Sequence, residues 1–129
     1  MRVYLAGPIF GMTHAECNDW RDDARARLYG CEVVDPMARD YRGREDEVAA
    51  AEIVEGDEAA IMSCGAMLAN CEHPSWGTAM EIAFAHSVGI PVFVVAPRPW
   101  SPWLVYHALE LHEQMAMACS AVTALPPYR

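Results

Sequence analysis

This 129-residue chain has no apolar run of membrane length, and its 9 basic residues are outnumbered by 18 acidic ones. A spanning helix needs about 20 consecutive apolar residues, so the sequence offers no membrane segment. A net charge of −9 excludes a sequence-independent grip on a nucleic-acid backbone, which requires a basic surface. A small anionic ligand stays open, because backbone N–H groups and hydroxyls at a helix start hold phosphate unaided. Cysteine pairs are also missing. Cys17, Cys31, Cys64, Cys71 and Cys119 are odd in number with no CxxC spacing, and read as free thiols of a cytoplasmic protein. The amino terminus reads as a strand and not as a signal peptide. Gly7-Pro8-Ile9-Phe10-Gly11 is no GxGxxG fingerprint, which argues against a dinucleotide cofactor. Cys71-Glu72-His73 has ligand residue types but no second pair at zinc spacing, so it reads as a loop; neither metal nor cofactor is expected. Internal repeats, linkers and low-complexity stretches are lacking, and residues 1–129 read as one domain.

What is present is an alternation of strands and helices. Arg2 to Ala6 is a short apolar run ended by Gly7-Pro8, a strand and a turn. Thr13 to Leu28 is helical, with Thr13 and Glu16 at capping-box spacing and Trp20, Ala24 and Leu28 on one face. Cys31 to Asp35 reads as a second strand stopped by Pro36, and Met37 to Arg44 as a polar, irregular segment. A helix over Val48 to Ser63, a strand over Ala66 to Ala69 and a helix over Ser75 to Val88 follow. Pro91 to Val95 is a β-branched strand bounded by Gly89 and Pro97. The tail from Ser101 reads as mostly helical, with a short fifth strand near Leu109 to His112. Near-continuous apolar strands alternating with helices predict an α/β fold: a Rossmann- or flavodoxin-like, doubly wound parallel sheet of about five strands with helices on both faces. Ligands in such sheets bind outside the carboxyl ends of the strands. That rule selects the loops Gly7 to Gly11, Asn70 to Gly77 and Ala96 to Ser101.

Within the third of these helical stretches one carboxylate, Glu81, stands between Met80 and Ile82 among small and apolar residues. Charged groups are seldom buried unless paired or chemically used, so Glu81 is a candidate active-site group. The plainer reading makes it the solvent face of an amphipathic helix. Ser75 is the natural N-cap, offering its hydroxyl and the free N–H groups of the first turn to a phosphate. Glu81 lies six residues on, a rise of roughly 9 Å that side chains leaning toward the amino end shorten.

Tyr4-Leu5-Ala6-Gly7-Pro8, Asp57 and Gly77-Thr78-Ala79-Met80-Glu81-Ile82-Ala83-Phe84-Ala85 together resemble the nucleoside 2-deoxyribosyltransferase family, over Arg2 to about Ala108. Typical transferases of that family carry an Asp two residues before the Gly-Thr, where this chain has Ser75. Pro74-Ser75 is similar to the branch that hydrolyses nucleoside 5′-monophosphates, including deoxynucleoside 5′-phosphate N-hydrolases and CMP or hydroxymethyl-CMP hydrolases. The resemblance implies a phosphate held by Ser75 and by Ser101, the latter reaching in from a neighbouring subunit of a homodimer. It implies Glu81 as nucleophile and Asp57 as the second acid, 24 residues earlier. Tyr4 would line the sugar and base pocket with Gly7, Pro8 and Gly77 around it, and Phe10 and Trp76 would stack on the base or serve as packing. Asp57 read alone is a surface charge among Glu52, Glu55 and Glu58. The chain departs from the pattern at Gly65, where the family often has another Asp, at Pro8 and Phe10, where the glycosidase branch has Ser and Arg, and at Ala83. Arg98, beside Ser101, is the candidate replacement for the missing cation. The expected activity is hydrolysis of a pyrimidine nucleoside 5′-monophosphate. Base exchange between deoxynucleosides and a non-catalytic nucleotide-binding module are the alternatives.

Overall fold

The computed structural model describes residues 1–126 of the chain. Five strands form one sheet: β1 (Arg2–Ala6), β2 (Glu32–Val34), β3 (Ala66–Asn70), β4 (Val92–Val95) and β5 (Glu110–His112). Their order is β2-β1-β3-β4-β5 and all four pairings are parallel. This is the flavodoxin-like strand order, with the direction of winding reversing beside β1. The helices are α1 (His14–Arg27), α2 (Ala50–Met62), α3 (Trp76–Ser87), α4 (Pro102–His107) and α5 (Met115–Thr123).

The two faces of the sheet are covered by different helices, and strand alternation decides which residue meets which. Val3 and Leu5 of β1 point to one side, where Ala24 and Leu28 of the α1 region and Ala118, Cys119 and Val122 of α5 pack on them. Tyr4 and Ala6 point to the other, against Ile61 of α2 and Ile82 and Ala85 of α3. Each fully buried Leu, Val or Phe contributes about 1.5–3 kcal/mol of hydrophobic stabilisation. The central strands β3 and β4 are buried throughout, as expected of a sheet covered on both faces.

Local signals set the element ends. Thr13 caps α1 by accepting from the Glu16 N–H, while the Glu16 carboxylate accepts from the Thr13 N–H, the reciprocal box that the spacing predicts. The segment expected to be irregular after β2 begins instead with a 3₁₀ turn, Pro36–Arg39. Asp35 caps it by accepting from the Met37 N–H at 2.9 Å, and Pro36 fills the first position, where no N–H is needed. Gly7 must be glycine for a different reason. A Cβ there would stand 2.4 Å from the Trp20 ring, so β1 and α1 close only over a bare Cα.

Candidate active site

A crevice of about 170 Å³ opens at the carboxyl end of β1, on the α2–α3 face of the sheet. Gly7, Ile9 and Phe10 line it from the β1–α1 loop, Asp57 from α2, and Ser75, Gly77, Thr78 and Glu81 from the start of α3. Each lining helix points these groups inward by its periodicity. On α2, Ile53, Asp57 and Ile61 are spaced by four, so Asp57 shares the inward face of two apolar neighbours. On α3, Gly77 and Glu81 are likewise one turn apart, beside the buried Thr78 and Ile82.

Tyr4, fully buried in β1, donates its phenolic O–H to Glu81 Oε2. Glu81 is half-buried, and burial raises its pKa to about 7. The Tyr4 hydrogen bond and the Arg21 charge pull it down, while the negative charge of Asp57 pushes it up. The same carboxylates and its own burial push the Tyr4 phenol far up, so it stays a protonated donor. Burial also raises Asp57, opposed by Arg39, whose Nη2 donates to Asp57 Oδ1 at 2.9 Å. A carboxylate at the edge of ionisation, held by a permanent donor and set beside a second carboxylate, is the arrangement that stabilises or traps a developing carbocation.

At the head of α3, the Ser75 hydroxyl accepts from the Thr78 N–H at 3.3 Å. Thr78 is 2% exposed, and its Oγ1 has no hydrogen-bond partner among the described residues. A larger groove of about 540 Å³ adjoins the crevice and shares Ser75 and Thr78 with it. Trp76, Ser101 and Trp103 line that groove and not the crevice. Ser101 caps α4, accepting from the Trp103 N–H at 3.1 Å. Pro8 is buried and lines neither space. Among the predicted site residues, the structure therefore gathers Tyr4, Gly7, Phe10, Asp57, Ser75, Gly77 and Glu81, and sets Pro8, Trp76 and Ser101 apart.

Arg98 does not supply a cation to the crevice. Its guanidinium stacks on Trp100 and pairs with Glu113 at 2.6 Å. The cations that do line the crevice are Arg39 and Arg42, on the segment after β2, together with Tyr41 and Glu45. Arg42 is held by Asp40 at 2.8 Å. A further cation lies beneath: Arg21, fully buried on α1, donates to Cys17 O at 2.7 Å and Gly7 O at 3.3 Å, and stands 3.2 Å from Asp35 Oδ1. No motif announces these three arginines, and only packing brings them to the site. Gly65, named above as a departure from the family's pattern, donates its N–H to Arg2 O before β3, at the sheet end opposite the crevice. Among the described residues no group of three His, Cys, Asp or Glu is disposed to hold a metal ion, and no helix is long and apolar enough to cross a membrane.

The sequence model of the nucleoside 2-deoxyribosyltransferase family matches residues 3–116, nearly the whole chain. The chain belongs to that family. No curated protein sequence matches it, but solved structures do by shape. The 2-deoxyribosyltransferase of Bacillus psychrosaccharolyticus superposes with a TM-score of 0.73 at 16% identity, over 98% of this chain and 93% of that one. A conserved protein of Enterococcus faecalis V583 gives 0.71 at 12% identity, over 92% and 94%. The CMP N-glycosidase BcmB of Clostridium botulinum gives 0.63 at 18% identity, over 97% and 100%. At these identities the likenesses establish the α/β, flavodoxin-like fold. Membership of the nucleoside 2-deoxyribosyltransferase family makes the chain an enzyme with a nucleoside-processing glycosyl activity.

Proposed function

We propose that this family member hydrolyses the N-glycosidic bond of a nucleoside 5′-monophosphate, a pyrimidine such as CMP, dCMP or hydroxymethyl-CMP, through Glu81. The observation that carries the reading is the convergence in one crevice of Glu81, Asp57 and the open head of α3, with buried Tyr4 donating to Glu81 from β1. The phosphate sits on the first-turn N–H groups, with the Ser75 hydroxyl and the unpartnered Thr78 Oγ1 beside it. The Glu81 carboxylate attacks C1′ as the C1′–N bond breaks; the base leaves with the bonding pair and takes a proton from solvent. Water then attacks C1′, the C1′–O bond to Glu81 breaks, and the released proton returns to solvent. Asp57, held in place by Arg39, accepts hydrogen bonds from the sugar hydroxyls.

A homodimer completes the site in this reading. Trp76 (85% exposed), Trp103 (77%), Tyr106 (70%) and Met80 (68%) form an apolar face on α3 and α4 that a second copy would cover, carrying Ser101 to the partner's phosphate. The five cysteines are all free thiols, which fits a cytoplasmic enzyme. Base exchange is the second reading, favoured by the transferase description of the family. Chromatography of free base from ribo- and deoxynucleoside 5′-monophosphates and the matching nucleosides, each with and without an added base, separates the two. Acceptor-independent release from monophosphates supports the hydrolase. Turnover that requires an acceptor and prefers nucleosides overturns it.

A further inference from the structure

We propose that Arg39 is the positioning residue of this site: lying across Gly56, it holds the Asp57 carboxylate aimed into the crevice beside Glu81. The inference rests on the role given to Asp57 above and adds the device that makes that role possible.

Three observations converge. Arg39 Nη2 lies 2.9 Å from Asp57 Oδ1, although the residues are 18 apart in sequence and belong to different elements. Gly56 stands in the interior of α2, where glycine costs about 1 kcal/mol relative to alanine. Its backbone has no positive φ, so the helix itself does not need glycine there. What needs it is the guanidinium: a Cβ on Gly56 would fall 2.0 Å from Arg39 Nη1 and 2.5 Å from both Cζ and Nη2. The bare Cα is the seat on which Arg39 lies. Finally, the 3₁₀ turn that carries Arg39 is anchored at its start by Asp35, which caps it and pairs with Arg21 and Arg25.

The electrostatic need is visible in what faces Asp57. Tyr4 and Glu81 approach from β1 and α3, Arg21 lies beneath from α1, and Tyr41, Arg42 and Glu45 share the crevice from the segment after the turn. Arg42 is already committed to Asp40. Two half-buried carboxylates in one crevice do not both ionise unless a cation sits on one of them. Arg39 sits on Asp57, which leaves Glu81 to Tyr4.

The test compares Arg39→Met, Arg39→Lys and Gly56→Ala with the wild-type chain, each checked for folding by circular dichroism. Gly56→Ala retains the arginine and improves helix propensity, so it remains informative if Arg39→Met folds poorly. Carbon-13 titration of the Asp57 carboxyl, without substrate, is expected to move up by about one unit in Arg39→Met and Gly56→Ala and to return toward wild type in Arg39→Lys. In Arg39→Met and Gly56→Ala kcat is expected to fall with KM little changed. An Asp57 titration unmoved in both Arg39→Met and Gly56→Ala overturns the proposal. So does a rise in KM with kcat unchanged, which would make Arg39 a substrate ligand. Because the titration needs no turnover, a shifted Asp57 in a protein that releases no base overturns the proposed activity and leaves the positioning role standing.

Discussion

Replacing Tyr4 by Phe removes one oxygen atom, the buried donor to Glu81, and leaves the ring's core packing in place. The ring is fully buried in β1 and packs with Ala6, Ile61 and Ile82, contacts that Phe keeps. What is lost is the O–H that donates to Glu81 Oε2. A hydrogen bond to a charged group is worth about 1.5–3 kcal/mol, and one pKa unit corresponds to about 1.4 kcal/mol, so Glu81 should rise by about 1–2 units. Glu81 starts at about 7, where half of it is ionised at neutral pH. After the change roughly 1–10% remains ionised at pH 7, and kcat/KM should fall about 5- to 50-fold there. Raising the pH should recover most of that loss, because a group with a raised pKa ionises later but completely. The assay is base release against pH for wild type and Tyr4→Phe on one monophosphate. An acid limb that stays in place while the plateau drops would refute the reasoning, since Tyr4 would then act on substrate and not on Glu81.

Three further outcomes follow from the same geometry. Ser75→Ala removes the α3 cap and, in the proposed site, a phosphate contact; KM for monophosphates should rise about tenfold relative to the matching nucleosides, for the loss of a hydrogen bond to a charged group, with about 1 kcal/mol lost in thermal unfolding. Gly7→Ala drives a Cβ to 2.4 Å from Trp20, an overpacking worth about 1–3 kcal/mol that a lowered Tm would report. Glu81→Gln should stabilise the fold at pH 8 and not at pH 4. Folded Glu81 keeps its proton until about 7, whereas unfolded Glu releases it near 4.5, so the native state binds more protons across that window. Stability is therefore lost as pH rises through it, and denaturant unfolding of both proteins at both pH values checks the sign.

Much of the fold could be read before any coordinates because its signals are local. The Thr13–Glu16 box, the glycine and proline stops after β1 and β4, and the unbroken apolar run of β4 each act within a few residues. Glu81 was legible for the same reason, as the one charge on an apolar helix. Trp76, read as a base-stacking candidate, is mostly exposed and faces the neighbouring groove, because the first turn of α3 rotates it away from Gly77 and Glu81. The 3₁₀ turn was hidden by its shortness: the four residues Pro36-Met37-Ala38-Arg39 are too few to show a period. Arg39 and Arg21 were illegible on other grounds. An arginine in an amphipathic helix or loop reads as solvent-facing; Arg21 is buried by its contacts with Cys17 O, Gly7 O and Asp35, and Arg39, itself exposed, reaches Asp57 only because α2 passes beside the turn.

The central claim is that Glu81 carries the sugar. It is tested most directly by mass spectrometry of the protein after reaction with a 2′-fluoro nucleoside 5′-monophosphate, which slows release of the glycosyl–enzyme. The account predicts an added sugar phosphate on the peptide containing Glu81 and no adduct on Glu81→Gln. A stable adduct on another residue, or full turnover by Glu81→Gln, would contradict it.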